Sequence, residues 1–198
     1  MICMKRIIPL FLGVLVLGLF IQGSALAAPK TQPVVKMETN MGNIIIELNE
    51  DKAPVTTRNF LNYVESGHYD GTIFHRVIRD FMIQGGGLTS DMNTKKTKAP
   101  IRNEANNGLK NRKYTIAMAR TMDPHSATSQ FFINTTNNSS LDYKASTEAD
   151  WGYAVFGRVI SGKDVVDKIE RVATTSRGMY KNVPISPIVI KKVTVQTK

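Results

Sequence analysis

The chain has few of the residues that support covalent, redox or metal chemistry. Its 198 residues include one cysteine, one tryptophan and three histidines. The histidines lack the close pairing and the accompanying cysteines of common metal sites. We therefore expect a protein that works without a metal ion or a cofactor.

Two motifs that are common in enzymes are also missing. No Gly-x-Ser-x-Gly nucleophile elbow accompanies Asp123, His125 and Ser126, which lie in a stretch rich in turn formers. The glycines at 85–87 are not followed by the Lys and Ser or Thr of a phosphate-binding loop, and glycines that bend a strand at a bulge are the better interpretation. These absences count against a hydrolase and against a nucleotide-binding enzyme.

The first 27 residues carry the features of a secretory signal. Lys5 and Arg6 precede the almost wholly apolar run 7–21, and residues 25–27 are an Ala-Leu-Ala sequence of the kind that a signal peptidase reads. The run is shorter than the roughly 20 residues of a spanning helix, and Pro9 interrupts it. We expect export, cleavage after residue 27 and no stable membrane insertion afterwards. An uncleaved membrane anchor is the alternative.

Cleavage would leave 171 residues without a cysteine, which is enough for one domain with a substantial core. Two cations and no acid leave with the signal, so the formal net charge falls from +10 to +8. This balance favours acidic partners in general, but nucleic acid is a poor expectation for an exported protein. The lysine-rich stretch 88–113 has no aromatic residues for base stacking, which is typical of a solvated face.

Short β-rich runs dominate the rest of the chain, and only two segments, near 55–66 and 164–172, have apolar residues at helical spacing. Residues 28–33 form a polar, proline-containing lead that we expect to be flexible. The β-rich runs lie at 34–39, 43–48, 114–120, 130–133, 153–159 and 188–195, with two more inside 74–86. This pattern predicts one mainly β domain, an antiparallel sheet curled into a barrel or a sandwich.

The stretch Phe74–Gly86 places an arginine and a glutamine among aromatic and thioether side chains. A guanidinium has five donors and stays protonated, so an apolar setting suits an arginine that must donate hydrogen bonds in a partly dry site. The alternative is an ordinary strand, in which Arg76 reaches to solvent while Phe74, Val77 and Phe81 fill a core. The stretch alone leaves both interpretations open.

Three motifs in order resemble the cyclophilin family of peptidyl-prolyl cis-trans isomerases. They read FHRVIRDFMIQGG at 74–86, AMAR at 117–120 and SQFFIN at 129–134, and the resemblance extends over 34–196. The signal, the Met-Ala-Arg variant and WGYAVFG at 151–157 are most similar to periplasmic cyclophilins of Gram-negative bacteria. The resemblance implies an eight-stranded antiparallel closed β-barrel capped by two α-helices, and a periplasmic location.

The resemblance also assigns the site residues. The family's catalytic arginine matches Arg76, and ten further residues match the family's substrate-binding positions. The apolar proline pocket matches Phe81, Met82, Phe132 and Leu141, and its polar lining matches Gln84 and Gln130. The backbone that pairs with substrate matches Ala119, Arg120 and Thr121, and the pocket wall matches Tyr153.

Two departures from the family pattern concern the pocket wall. Tyr153 stands where eukaryotic members have a histidine, and Ser140 stands where many members have a tryptophan. The tryptophan of this chain, Trp151, does not align with that position. Because the family's tryptophan is associated with cyclosporin binding, we expect weak cyclosporin affinity and retained isomerase activity.

The resulting expectation is a monomer that isomerises Xaa-Pro bonds in proline-containing unfolded or extended polypeptides and so assists the folding of exported proteins. The same residues would serve a binding module that holds such segments without turnover as its role. A third possibility, a basic surface for acidic envelope components, depends on net charge alone.

Overall fold

A computed structural model describes residues 31–196. The predicted signal peptide and residues 28–30 of the predicted lead lie outside this range. At its start, the Pro33 carbonyl accepts a hydrogen bond from the Leu48 N–H at 2.8 Å, and the Gln32 side chain accepts one from the Glu50 N–H at 2.8 Å. No helix within residues 31–196 is long and apolar enough to cross a membrane.

The described residues form ten strands, two α-helices and two short 3₁₀ turns, Ala105–Asn107 and Ser139–Leu141. The strands are β1 Val34–Thr39, β2 Gly42–Leu48, β3 Thr72–Ile78, β4 Met82–Thr89, β5 Thr115–Met118, β6 Phe131–Asn134, β7 Val155–Ser161, β8 Thr174–Arg177, β9 Tyr180–Pro184 and β10 Ile190–Gln196. The helices are α1 Pro54–Glu65 and α2 Lys163–Glu170. Eight strands form one antiparallel sheet in the order β10-β1-β2-β7-β5-β6-β4-β3.

The two end strands of this sheet, β3 and β10, meet without a continuous ladder. The Gly71 N–H donates to the Ile190 carbonyl at 2.9 Å, the Phe74 N–H donates to the Ile188 carbonyl at 2.9 Å, and Ile73 bridges to Val189. The prediction of an eight-stranded antiparallel barrel with two helices is confirmed. The prediction of a closed barrel is slightly too strong, because β3 and β10 are joined by isolated hydrogen bonds, whereas neighbouring strands elsewhere in the sheet are joined by continuous ladders.

The main core is built from strand residues that alternate inward and from the apolar faces of both helices. Phe60 of α1 lies at its centre, with ring centroids 5.0 Å from Tyr69, 5.7 Å from Phe131 and 5.2 Å from Phe156. Proline occupies the first turn of α1, where its missing N–H is no loss. The Glu104 carboxylate accepts the free N–H groups of this turn and so fixes the helix to the long segment after β4.

The glycines after Gln84 form a bulge, as the sequence predicts. Thr72 pairs with Thr89 and Phe74 pairs with Gly85, so β4 holds two more residues than β3 over this interval. Gly86 has φ +82°, and a Cβ there would lie 2.8 to 2.9 Å from ring atoms of Phe131. Glycine is therefore required at 86 both by backbone conformation and by the close approach of the core ring.

Candidate active site

A second bulge, on β3, sets the direction of Arg76. Phe74 pairs with Gly85 and Arg76 pairs with the next residue back, Gln84, so His75 is an extra residue on β3. A regular strand would put Phe74 and Arg76 on the same face. With the extra residue, Phe74 and Val77 both pack in the main core while Arg76 lies on the opposite face.

Strand register then places five residues in line on that opposite face. Arg76 is opposite Gln84 across β3 and β4, and Gln84 is opposite Phe132 across β4 and β6. Phe132 is opposite Ala117 across β5 and β6, and Ala117 is opposite Val155 across β5 and β7. We call these five side chains the outer row. The row begins with the Arg76 guanidinium, continues with the Gln84 amide and ends with the apolar side chains of Phe132, Ala117 and Val155.

The apolar part of the outer row belongs to a second hydrophobic cluster, separate from the main core. Phe132 meets the Tyr153 ring edge-on, with centroids 5.6 Å apart and planes at 79°. The buried members are Met82, Ala117, Phe132 and Val155, and the half-buried members are Ile78, Phe81, Leu109, Ala119, Leu141 and Tyr153. Every residue that the sequence assigns to the proline pocket and its wall is in this cluster. The cluster also contains Ile78, Leu109, Ala117 and Val155, to which the sequence assigned no role in the site.

The polar side of the site is a chain of three side chains. The Arg76 Nη1 donates to Gln84 Oε1 at 3.3 Å, and the Gln84 Nε2 donates to Gln130 Oε1 at 2.9 Å. Gln130 follows the bend before β6, and its carbonyl accepts the Ala119 N–H at 3.0 Å. The guanidinium has no carboxylate partner among the residues that the structure describes, which leaves its other N–H groups for a ligand.

The remaining predicted residues surround a polar cavity beside this chain, with a volume of about 140 Å³. Thr121 is fixed by two bonds to one hydroxyl, because its N–H and its Oγ1 both donate to Ser126 Oγ, at 2.9 and 2.8 Å. The cavity is lined by Gln84, Ala119, Arg120, Thr121, Ser126, Thr128 and Gln130. Ser126 and Thr128 were not predicted, because they lie in a turn-rich stretch whose path cannot be derived from periodicity.

Three buried asparagines hold the backbone of the pocket walls. Asn138 donates to the Phe81 carbonyl at 2.7 Å and to Asn134 Oδ1 at 2.7 Å, and Asn134 donates to Asn111 Oδ1 at 3.2 Å. Asn111 donates in turn to the Leu141 carbonyl at 3.0 Å. Because buried polar groups are costly when unpaired, this network fixes the backbone at Phe81 and at Leu141, two residues of the predicted proline pocket.

The residues that suggested a hydrolase do not form one. The Ser126 hydroxyl donates to the Asp123 backbone carbonyl at 2.7 Å, and His125 Nδ1 accepts the Asn103 N–H at 3.1 Å. Within residues 31–196 no group of three His, Cys, Asp or Glu side chains could hold a metal ion.

His75, the bulged residue next to Arg76, is buried and has a depressed pKa. The pKa of His75 is lowered to about 4: burial is the largest cause, a hydrogen bond to the Ile73 backbone opposes it in part, and the nearby Arg76 charge adds to the lowering. Its Nδ1 has no hydrogen-bond partner in the described part of the chain. The imidazole is therefore neutral at pH 7, and it serves as a packing group behind the site.

We expect His75→Gln to flatten the acid side of the stability profile. Between pH 6.5 and about 4 the unfolded chain binds a proton at this residue and the folded chain does not, so folding stability falls as pH falls through this window and is unaffected above it. The slope from one such group reaches about 1.4 kcal/mol per pH unit. Urea denaturation at several pH values measures it. An unchanged slope in the variant would contradict the assignment; His68, whose pKa burial also lowers, adds a residual slope in both proteins.

Together, a cationic donor, an amide pair and an apolar cluster lie on one face of an antiparallel barrel, an arrangement that suits a polypeptide ligand with a small apolar ring beside a peptide group. Comparison with known proteins agrees with this interpretation. The family model described as cyclophilin type peptidyl-prolyl cis-trans isomerase matches residues 34–195. The chain belongs to the cyclophilin family of peptidyl-prolyl cis-trans isomerases, as the three motifs predict.

Curated relatives cover nearly the whole domain. The chain is 60% identical over 157 residues, 79% of its length and 95% of the relative's, to peptidyl-prolyl cis-trans isomerase cyp18 of Streptomyces antibioticus. It is 54% identical to peptidyl-prolyl cis-trans isomerase B of Escherichia coli, over 82% of this chain and 99% of that one. It is 50% identical to peptidyl-prolyl cis-trans isomerase A of Dickeya dadantii, over 98% and 99%. The predicted enzyme class is therefore confirmed.

Solved structures support the fold. A Cryptosporidium parvum cyclophilin type isomerase superimposes with a TM-score of 0.69 at 26% identity, covering 84% of this chain and 99% of that chain. The structure of the same isomerase in the presence of the dipeptide Ala-Pro gives a TM-score of 0.68 at 27% identity, covering 83% and 99%.

Proposed function

We propose that this isomerase acts on proline-containing segments of exported polypeptides in the periplasm, with Arg76 as the group that stabilises the twisted amide. The observation that carries this proposal is the outer row, in which the Arg76 guanidinium stands in line with the second hydrophobic cluster. The Cryptosporidium structure determined in the presence of the dipeptide Ala-Pro supports a ligand of this class.

The chemistry requires no proton transfer and no covalent intermediate. The cis and trans forms of an Xaa-Pro bond differ by about 1 kcal/mol, yet exchange takes tens to hundreds of seconds, because amide resonance must be broken. In the twisted transition state the proline nitrogen regains a lone pair. A donor aimed at that nitrogen binds the transition state and not the ground state, which is the condition for catalysis.

Each part of the site has one task in this mechanism. Phe81, Met82, Phe132 and Leu141 grip the proline ring, so that the preceding carbonyl can rotate against it. Gln84 accepts from Arg76 and donates to Gln130, which orients the guanidinium. Ala119, Arg120 and Thr121 offer backbone groups beside the polar cavity for pairing with the rest of the polypeptide.

The location and the clients are proposed from the sequence. The charged start, apolar run and Ala-Leu-Ala of residues 1–27 support export. The absence of cysteine after residue 3 makes the domain independent of the redox state of its compartment.

Two measurements test this proposal. Exchange between the cis and trans signals of a short Xaa-Pro peptide, followed by NMR, should accelerate on addition of the protein purified without residues 1–27. Fractionation of cells that express the full chain should place the processed protein in the periplasmic fraction. A full-length protein in the membrane fraction would overturn the proposed location and leave the activity standing.

We expect Gln84→Leu to lower kcat/KM roughly tenfold, because the guanidinium loses the acceptor that orients it and a hydrogen bond to a charged group contributes about 1.5 to 3 kcal/mol. Leucine has a similar volume, so the fold should persist. The NMR exchange assay measures the rate, and circular dichroism checks the fold. A rate equal to wild type would show that the Arg76 orientation does not depend on Gln84.

A further inference from the structure

The Arg120 side chain joins two loops that border the site. Its Nε donates to the Gly152 carbonyl at 2.9 Å, and its Nη1 donates to the carbonyls of Thr121 at 2.9 Å and Met122 at 3.2 Å. Three backbone carbonyls from two chain segments therefore converge on one guanidinium. Its planar fork of donors suits this arrangement, and a lysine ammonium does not reproduce it.

The anchor on the second loop is rigid. Gly152 has φ +70°, and a Cβ there would lie 2.6 Å from backbone atoms of Asp142 and Tyr143, so this peptide unit is tightly enclosed. Its carbonyl also accepts from Asn103 Nδ2 at 3.1 Å. The position of Gly152 is thus fixed independently of Arg120, and the guanidinium transfers that position to the segment 121–122.

The same guanidinium supports the aromatic wall of the pocket. Its Cζ lies 4.7 Å from the centre of the Tyr153 ring, in a cation–π arrangement, and that ring meets Phe132 edge-on. Arg120 thus contacts both surfaces that a bound polypeptide would use: the wall beside the proline ring and the backbone at 119–121.

We propose that Arg120 is a positioning residue for the isomerase, which fixes the separation between the Tyr153 wall and the 119–121 backbone through its guanidinium. The inference rests on the proposed function, and it assigns to the side chain a task separate from backbone pairing. The Tyr153 wall and the 119–121 backbone would both hold the substrate before the bond twists. Loss of the guanidinium therefore weakens substrate binding more than it slows turnover.

The test measures KM and kcat for wild type, Arg120→Ala and Arg120→Lys. Each protein is assayed with two blocked peptides, Ala-Pro and a hexapeptide with Ala-Pro at its centre. The hexapeptide can reach both surfaces, and the short peptide depends chiefly on the pocket wall. We expect Arg120→Ala to raise KM for the hexapeptide roughly tenfold, to raise it less for the short peptide, and to leave kcat within about twofold. Arg120→Lys should lie between, because one ammonium cannot bond both loops.

The control is Arg112→Ala, which removes an exposed arginine that has no ion pair among residues 31–196 and should leave both KM values unchanged. The Tyr153 ring signals in NMR provide a second readout, and they should shift in Arg120→Ala while the core signals stay in place. Unchanged KM values for both peptides, or an equal loss of kcat with both, would overturn the inference. Neither result would affect the proposed function, whose Arg76 test depends on kcat.

Discussion

Arg76→Ala should lower kcat for Xaa-Pro exchange by roughly 10² to 10³, the loss seen when one preorganised donor is removed from a transition state. KM should change little, because the donor has no acceptor in the planar ground state, where the nitrogen lone pair is delocalised over the amide. Line-shape or exchange NMR on a proline peptide measures both quantities.

The fold should survive this substitution. Arg76 is half-buried, lies on the face opposite the main core and bonds to one side chain, Gln84, at 3.3 Å. Removing a partly exposed side chain with one long hydrogen bond costs about 1 kcal/mol or less. A loss of activity with an unchanged urea midpoint would therefore place the effect in catalysis.

The matched control is Arg79→Ala, three residues away on the turn between β3 and β4. Its side chain is 72% exposed and pairs only loosely with Asp80, at 4.0 Å, so its rate should equal that of wild type. Arg76→Lys separates charge from geometry, and we expect it to recover little activity, because an ammonium cannot donate to Gln84 and to the proline nitrogen in the same directions. Full activity in Arg76→Ala would end the assignment of Arg76 as the group that stabilises the twisted amide.

The element pattern could be predicted because it depends on local sequence. Eight β-rich runs correspond to the eight strands of the barrel, and the two segments with helical spacing correspond to α1 and α2. Bounds differ by a few residues, as at β7, which begins at Val155 and not at 153. The hairpin of β8 and β9 was missed, because every β8 residue is exposed and its sequence TTSR has no apolar alternation.

The arrangement of the site depends on register, which the local pattern does not contain. His75 follows Phe74 without any turn former, so nothing in the sequence marks the bulge that directs Arg76 away from the core. A shift of one residue would point the arginine into the core. The resemblance to a family supplied the residues of the site, and the structure supplies the reason that they share one face.

Adjacent phenylalanines on β6 give the second large effect, because they point to opposite faces. Phe131 is fully buried among Phe60, Tyr69 and Phe74, with ring centroids 5.5 to 6.0 Å away, and Phe132 lies in the outer row beside Tyr153. Truncation of one should damage the fold, and truncation of the other should damage the site.

We expect Phe131→Ala to lower the free energy of unfolding by about 3 to 5 kcal/mol, because it removes a ring from the middle of an aromatic cluster that the surrounding strands cannot collapse to fill. Phe132→Ala should cost less, because Phe132 packs in the smaller second cluster, where six of the ten members are only half-buried and can shift to fill the space. Its kcat/KM should fall at least roughly tenfold through loss of the proline contact. Urea denaturation and the exchange assay at a temperature where both variants are folded measure the two quantities.

The pair also distinguishes an effect on the site from an effect on the fold. Folded Phe131→Ala should retain near wild-type kcat/KM, because its side chain does not touch the site, whereas Phe132→Ala should lose affinity for proline peptides while Arg76→Ala retains it. If Phe131→Ala lost activity as severely as Phe132→Ala while still folded, the two faces of β6 would be coupled and the outer row would not act as a separate site. If Phe132→Ala bound and turned over peptides normally, the second hydrophobic cluster could not be the proline pocket.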